Sequence, residues 1–526
     1  MQFLIHHLLR DAAARSPAKE ALIQGATRLT YELAQQAAIA LGTRLREAGT
    51  KRLDRVGVLL EPSCELAVSL FGVSQAGGVF VPIHHGLFAD QVEHIVRDCR
   101  MTGIILDAAR WQQLRPTLET CESLQFIVLV GETAEATSQL RTYSFPAWSA
   151  AGSEQLPEQA IDKDLGAILY TSGSTGKPKG VMLSHANLLA GATIVSDYLQ
   201  ITAADRILAV LPFSFDAGLN QLTTAIQQGG TCVMLKFLFA KEIVNMLAQE
   251  KITGLAGVPP LWSLIAQDSS KLASTPLPHL RYITNTGGAL PLSTLQRLRS
   301  AVPDTKVVLM YGLTEAFRST YLPPSELDKR PTSMGKAIPD TEILVLDEEG
   351  KPCAPGEIGE LVHRGPTVSL GYWGQPELTA KVLRPNPLLP PELSDHERVC
   401  YSGDLVKTDE DGFLYFVGRR DNQIKSSGFR ISPTEVEEAL CKTGQLRDAA
   451  VIGLPDEVLG QRIKAFVVPR EGVEVIPEQL LAQVATLLPR HMIPKSVEVL
   501  REFPKTSSGK INYPALRQRE AASSAK

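Results

Sequence analysis

The chain has 526 residues, of which 44% are hydrophobic and 21% charged, with a formal net charge of -4 and a pI near 6.3. That balance belongs to a globular protein with ample core, and it excludes an obligatory nucleic-acid or anionic-membrane partner, since either needs a basic surface. Length alone sets a prior of about three compact units, or several fused into one large body.

The seven cysteines, Cys64, Cys99, Cys121, Cys232, Cys353, Cys400 and Cys441, form no CxxC pair and no zinc-ligand spacing, so they read as reduced thiols of a cytoplasmic protein. The opening MQFLIHHLLR is apolar but broken by His6 and His7; without a basic leader it reads as a first core helix rather than a signal peptide. No apolar stretch reaches the roughly 18 to 20 residues that cross a bilayer, so no transmembrane segment is expected.

From Ala21 the pattern reads strand, turn, and a second strand at Leu29, then a helix with Leu33, Ala37, Ala40 and Leu41 on one face. A strand at 56–60 leads to a helix carrying Leu66, Leu70 and Val73 and to a strand at 79–83, with further strands at 102–106 and 126–130. Residues 133–161 are polar without a period and read as a connection over the surface. Strands flank a polar loop at 170–180, a helix follows from Ala186, and strands fall at 207–211, 231–235, 254–258, 281–285 and 306–310, with a helix after Asn220. This alternation predicts sheets covered by helices. Beyond Thr341, short strands punctuated by Gly356, Gly359, Gly365 and Gly371 predict a small β unit over about 341–420. From Asp421, a helix opening at Ser432-Pro433, strands at 449–452 and 464–468 and a helix over 477–488 form a small α+β unit. The expected fold class is α/β: a large N-terminal body of helix-covered sheets over 1–420, and a small C-terminal lid over 421–526.

The most informative stretch is 170–180, YTSGSTGKPKG. Gly173, Gly176 and Gly180 let the backbone turn and approach a ligand, Thr171, Ser172, Ser174 and Thr175 offer hydroxyls, and Lys177 and Lys179 offer positive charge. An oligophosphate needs that combination, although a solvated connection has the same composition. The spacing is not that of a Walker loop. TSGSTGKPKG closely resembles the phosphate-loop signature of the AMP-forming adenylating superfamily, which contains acyl-CoA synthetases, peptide-synthetase adenylation domains and firefly luciferase. LTYEL at 29–33 and AGGVFVPI at 76–83 also match recurring segments of that superfamily and read as structural.

The resemblance gives parts to the other motifs. YGLTEAF at 311–317 ends a strand and combines an aromatic ring, a glycine, a hydroxyl and a carboxylate. That set suits a nucleotide with magnesium at the carboxyl end of a sheet, and taken alone it equally suits a surface turn. The resemblance implies that Tyr311 stacks on adenine beside Gly312, that Thr314 contacts the α-phosphate, and that Glu315 holds Mg²⁺. TNTGGAL at 284–290, with Gly287, Gly288 and Ala289, would border adenine and the acyl pocket, which Leu313 also faces. In YSGDL at 401–405, Asp404 sits after a glycine at a strand end; an aspartate so placed commonly caps a turn, whereas the resemblance has it bind both ribose hydroxyls. Arg419 would reach the ribose or phosphate side. Asp421 falls at the hinge, followed by Asn422 where the family often has a second acid.

Two lysines complete the set. PKTSSGK at 504–510 places Lys510 where the family's lysine bridges the attacking carboxylate and the phosphate; taken alone it is a solvated lysine near a terminus. Lys425, in IKSSGFRI at 424–431, matches the loop that faces the site during thioester formation, with Gly428 leaving a path for a pantetheine arm. The implied activity uses ATP and Mg²⁺ to turn a carboxylic acid into acyl-AMP with release of pyrophosphate. A thiol, of CoA or of a carrier protein's phosphopantetheine, then displaces AMP. Lys510 and the Lys425 loop cannot both approach one centre unless a mobile lid rotates.

The substrate clue is LPFSFDAGLN at 211–220. Phe215-Asp216 resembles the pair by which amino-acid adenylation domains hold the α-amino group, while Ala217-Gly218-Leu219 departs from that pattern. A buried aspartate needs a partner, which an ammonium or a structural hydrogen bond supplies equally well. Open at this point are an acid-thiol ligase, a stand-alone amino-acid-activating enzyme serving a carrier in trans, and a non-catalytic nucleotide-binding or scaffold protein. His84-His85, where many relatives have Asn-Pro or Asp-Pro, find no third ligand in the sequence and are not read as a metal site.

Overall fold

The helix Cys64–Gln75 starts at Ser63, whose hydroxyl accepts the Leu66 N–H at 3.0 Å, and it buries nearly every side chain it carries. A helix buried all round must be covered all round, and in this computed structural model two sheets cover it. The structure describes residues 1–131, 138–145, 157–172, 178–394, 396–420, 424–426, 429–456, 460–488, 490–506 and 510–524. Contacts divide the chain into an N-terminal unit, Met1–Ile343 with His363–Cys400, and a C-terminal unit, Leu344–Val362 with Tyr401–Lys526.

In the N-terminal unit, the first sheet runs in the order Lys336–Ala337, Ala316–Leu322, Lys306–Leu313, Tyr282–Asn285, Gly254–Gly257, Arg206–Ala209, Thr231–Met234, Glu20–Gln24 and Thr27–Thr30. Its middle is parallel and its edges antiparallel. The second sheet runs Gly371–Tyr372, Pro178–Ser184, Leu165–Ser172, Val79–Pro82, Arg55–Leu59, Gly103–Asp107, Phe126–Val130 and Arg141–Ser144. Between the sheets lies one apolar cluster, with Leu22, Ile207 and Met234 from the first sheet, Val56, Phe80 and Leu169 from the second, and Leu8, Leu41, Phe71 and Leu222 from helices. Strands covered on both faces read as apolar runs, which is why the sequence shows them.

Several elements differ from expectation. Residues 133–161 were expected as a connection, yet they contain the strand Arg141–Ser144, paired parallel to Phe126–Val130. RTYS is an edge strand with mostly exposed side chains, so it carries no apolar alternation. The LTYEL helix is Tyr31–Glu47, and its buried face is Tyr31, Ala34, Ala38, Leu41 and Leu45, while Leu33 is 48% exposed. The helix expected after Asn220 begins at Asp216, because its buried residues Asn220, Gln221, Thr223 and Thr224 are polar and mask the period. The strand expected to end at Met310 continues to Leu313. Asp404 is not at a strand end: it lies inside the strand Arg398–Thr408.

The C-terminal unit has its own sheet, ordered Phe429–Ile431, Ile424–Ser426, Gly460–Pro469 and Leu446–Asp456, with Ser496–Val499 parallel to Gly460–Pro469. Val436 and Leu440 of helix Pro433–Lys442 and Leu480 and Val484 of helix Pro477–Val484 cover one face. Leu500, Phe503 and Leu516 pack with Phe466 on a second cluster. The α/β body and the small α+β unit agree with the fold class read from the sequence.

Tyr31 of LTYEL is fully buried, and its hydroxyl donates to the Gly230 carbonyl at 2.6 Å, just past the helix Asp216–Gln228. Removing a buried hydrogen-bond donor costs about 1–3 kcal/mol. Tyr31→Phe is therefore expected to lower the thermal midpoint of unfolding, and an unaltered midpoint would count against this structural role.

Candidate active site

The loop at 170–180 is the reversal between the antiparallel strands Leu165–Ser172 and Pro178–Ser184, with Thr171 opposite Lys179 and Tyr170 opposite Gly180. Thr171 and Lys179 are half-buried at its two ends. Gly173, Ser174, Thr175, Gly176 and Lys177, and the Ser172 side chain, lie outside the described residues. Gly180 has a different task from the one expected. A Cβ there would stand 2.7 Å from Ile168 Cγ2 and 3.1 Å from Tyr170 Cζ, so it makes room for its neighbouring strand rather than for a ligand. The Tyr170 hydroxyl donates to Asp98 Oδ2 at 2.6 Å.

The two-residue strand Gly371–Tyr372 pairs with Met182 and Val181 on the strand that leaves this loop. The Leu370 N–H donates to the Met182 carbonyl at 2.9 Å and the Trp373 N–H to that of Gly180 at 2.8 Å. From here the Tyr372 hydroxyl donates to Glu315 Oε1 at 2.6 Å, and the Ser369 N–H donates to the Glu315 carbonyl at 2.8 Å. Glu315 and Thr314 are both half-buried and form the tip of the hairpin between Lys306–Leu313 and Ala316–Leu322, where Leu313 pairs with Ala316. Asn187 braces the same segment: its amide donates to the carbonyls of Pro366 at 2.7 Å and Val368 at 2.9 Å, and its Oδ1 accepts the Ser184 N–H. Tyr372 and Asn187 were not singled out in the sequence; the Ser184 to Asn187 capping box was the only local signal.

The Tyr311 ring lies parallel to that of His363, with centroids 6.0 Å apart and planes at 12°. His363 is 1% exposed, and burial drives its pKa down to about 3, so the ring beside Tyr311 is neutral. Gly312 faces Arg318, where a Cβ would stand 2.9 Å from backbone atoms. In the adjacent parallel strand, Thr284, Asn285 and Thr286 are buried, and Gly287, Gly288 and Ala289 emerge exposed, with Gly287 at φ +77°. The Asn285 amide closes this loop on the Gly288 carbonyl at 2.9 Å. Tyr311 and the 287–289 loop thus share the carboxyl edge of a parallel sheet, the edge at which such sheets bind ligands. Phe215 and Asp216 follow the strand Arg206–Ala209 of the same sheet and open the next helix; Phe215 lies 5.8 Å from the His84 ring. His85 lies between Glu61, at 3.3 Å, and Asp107, at 3.1 Å.

In the C-terminal unit the structure brings Asp404 and Arg419 together across paired strands: Arg419 Nη1 donates to Asp404 Oδ1 at 2.7 Å and to the Ser402 carbonyl at 3.0 Å. Glu360, unnoticed in the sequence, accepts the Gly403 N–H at 3.0 Å and Arg420 at 2.6 Å. Lys510 is exposed on a turn closed by the Thr506 N–H to the Lys510 carbonyl at 2.8 Å and by a bridge between Lys505 and Ile511. The backbone of Lys425 lies in the strand Ile424–Ser426; its side chain, Gly428 and Asp421 are outside the described residues.

Glu315 fits a magnesium ion. One carboxylate oxygen is held by a phenol, the other has no hydrogen-bond partner among the described residues, and hard oxygen ligands are what Mg²⁺ takes. Elsewhere, His6, His7 and Glu158 gather within 4.8 Å, but His7 Nδ1 accepts the Phe3 N–H at 3.2 Å, so its Nε2 carries the proton and donates to Glu158 at 2.9 Å. That cluster is a hydrogen-bonded tie of the first helix.

Residues 9–373 match the family model described as AMP-binding enzyme, and residues 435–510 the AMP-binding enzyme C-terminal domain. The chain is 32% identical to a feruloyl-CoA synthase of Amycolatopsis sp over 96% of this chain and 97% of that one. It is 29% identical to a long-chain-fatty-acid–CoA ligase of Bacillus subtilis over 96% and 93%. ATP-bound MatB from Rhodopseudomonas palustris superposes with a TM-score of 0.86 at 25% identity, over 98% of each chain. The two family matches follow one another as the motifs do, and the protein belongs to the AMP-binding enzyme family: it is an AMP-forming, acyl-CoA synthetase-like ligase.

Proposed function

We propose that the protein joins a carboxylic acid to the thiol of CoA through an acyl-AMP. The observation that carries this reading is the Glu315 carboxylate, tied through Tyr372 to the strand that leaves the phosphate loop. In the first half-reaction a carboxylate oxygen attacks the α-phosphorus of ATP, and the bond to the β-phosphate breaks so that pyrophosphate leaves. In the second, the thiol sulfur attacks the acyl carbon, the acyl C–O bond breaks, AMP departs with its electron pair, and the thiol proton passes to solvent. A carboxylate is a poor electrophile, and AMP makes it a good one.

Thr171, Ser172, Gly173, Ser174, Thr175, Gly176, Lys177 and Lys179 would grip the departing phosphates, and Thr314 the α-phosphate. Glu315 would hold Mg²⁺, which neutralises phosphate charge when bound. Tyr311, backed by the neutral His363, and Gly312 would carry adenine; Asp404, oriented by Arg419, would take the ribose hydroxyls. Gly287, Gly288, Ala289, Leu313, Phe215 and Asp216 would line the acid's side. Lys510 serves adenylation and Lys425 the thiol step, on a lid over 421–526 hinged at Asp421. CoA as acceptor is supported by the names of the two curated relatives. A cytoplasmic setting fits the seven free cysteines, and no helix among the described residues is long and apolar enough to cross a membrane.

A second reading, an amino acid loaded onto the phosphopantetheine of a carrier in trans, is favoured by Asp216, a half-buried carboxylate without a compensating partner among the described residues. Acid-dependent pyrophosphate exchange across amino, aryl and fatty acids separates the two readings.

Lys510→Ala is expected to lower that exchange about 100- to 1000-fold, the loss of an electrostatic contact worth about 3–4 kcal/mol in the transition state. Thioester formation from supplied acyl-AMP keeps most of its rate; equal loss in both assays contradicts the role. Tyr372→Phe frees the Glu315 carboxylate from its orienting phenol, and such support is worth about 10- to 100-fold in metal affinity. The Mg²⁺ concentration for half-maximal exchange should rise by about that factor, and an unchanged Mg²⁺ requirement would remove Tyr372 from the site.

A further inference from the structure

Arg318 is 3% exposed, in the strand Ala316–Leu322. Its backbone is left-handed at φ +62°, opposite the register shift between Tyr311 and Leu313 where Gly312 packs against it. A non-glycine residue persists in that conformation only when its surroundings hold it there, and such residues cluster at functional sites. Nη1 donates to Thr286 Oγ1 at 3.2 Å, and Nε is buried with no partner. Among the described residues no carboxylate pairs with this guanidinium. A guanidinium stays charged at every accessible pH, and a buried charge is ordinarily paired.

One group on the same face of the sheet shares the deficit. The Tyr198 hydroxyl is buried and unpartnered, and its ring packs with Val308 and Met310, on the face that Thr284, the register partner of Val308, also presents. Buried polar groups are normally satisfied, and a buried, unpaired cation beside an unsatisfied hydroxyl fits an anion. A carboxylate takes a guanidinium side-on through two parallel N–H groups.

We propose that the acid this enzyme activates carries a second carboxylate, distal to the reacting one, and that Arg318 binds it. The proposal rests on the assignment of the 287–289 loop, which Thr286 leads into, to the acid's side of the adenylation site. Arg318 is a specificity residue: it touches the substrate's far end and takes no part in bond making.

The test measures pyrophosphate exchange with matched pairs, aliphatic and aromatic dicarboxylic acids each beside its half-amide, together with simple monocarboxylic acids. For the wild type, kcat/KM for the best diacid should exceed that of its half-amide by about 30-fold or more, in line with the strong discrimination of sites built to pair a buried polar group. Arg318→Met should bring that ratio below about 3-fold, and Arg318→Lys, which keeps the charge, should restore part of it. Equal use of diacid and half-amide by the wild type, exchange with monoacids but with no diacid, or a preference that survives Arg318→Met each overturns the proposal. If Arg318→Met does not fold, the wild-type ratio decides alone. Absence of exchange with every acid overturns the adenylation reading itself, an outcome distinct from a failure of Arg318.

Discussion

The pairing of Gly371–Tyr372 with Val181 and Met182 is the constraint on which the N-terminal site depends. It fastens the hairpin tip bearing Glu315 to the strand that leaves the 170–180 loop, though the two are far apart in sequence. Only glycine fits at 371, at φ +105° with a Cβ that would stand 2.3 Å from Thr379 Cγ2. The same Thr379 accepts the Tyr372 N–H at 2.9 Å. Charged groups held this way need no rearrangement when charge develops on a substrate, and that preorganisation is the main source of electrostatic catalysis.

What the sequence made legible has a physical reason. The glycines, hydroxyls and lysines of 170–180 are the set that a phosphate ligand would require, so their order is readable without a structure, while the packing task of Gly180 is not. Buried parallel strands such as Phe126–Val130 are readable as apolar runs. The edge strand Arg141–Ser144 is not, because exposed side chains impose no pattern. The early start of the helix at Asp216 is hidden because its buried face is polar. Tyr372, Asn187 and Glu360 act through contacts across the fold, which no local spacing records. Asp404 and Arg419 were each visible as motif residues, but only strand register shows them to be partners.

The site also separates two kinds of information. Of the residues assigned to adenylation, Thr314 and Glu315 sit at a hairpin tip and Gly287 to Ala289 on a loop, whereas Tyr311, Asp404 and Arg419 sit within strands. Arg318, the residue proposed to select the acid, also lies within a strand, buried, with a left-handed backbone opposite Gly312. An arginine in a strand reads from sequence as a solvent-facing residue; only its burial and missing counter-charge set it apart.

The central claim is that an acyl-AMP links acid to thiol, and the fate of oxygen tests it most directly. With a carboxylic acid carrying heavy oxygen in its carboxyl group, together with ATP, Mg²⁺ and CoA, mass analysis of the products follows the label. The account predicts AMP bearing one heavy oxygen, because thiol attack leaves a former carboxylate oxygen on the phosphate, and pyrophosphate bearing none. Thioester formed with unlabelled AMP, or with ADP and phosphate as the nucleotide products, would contradict it.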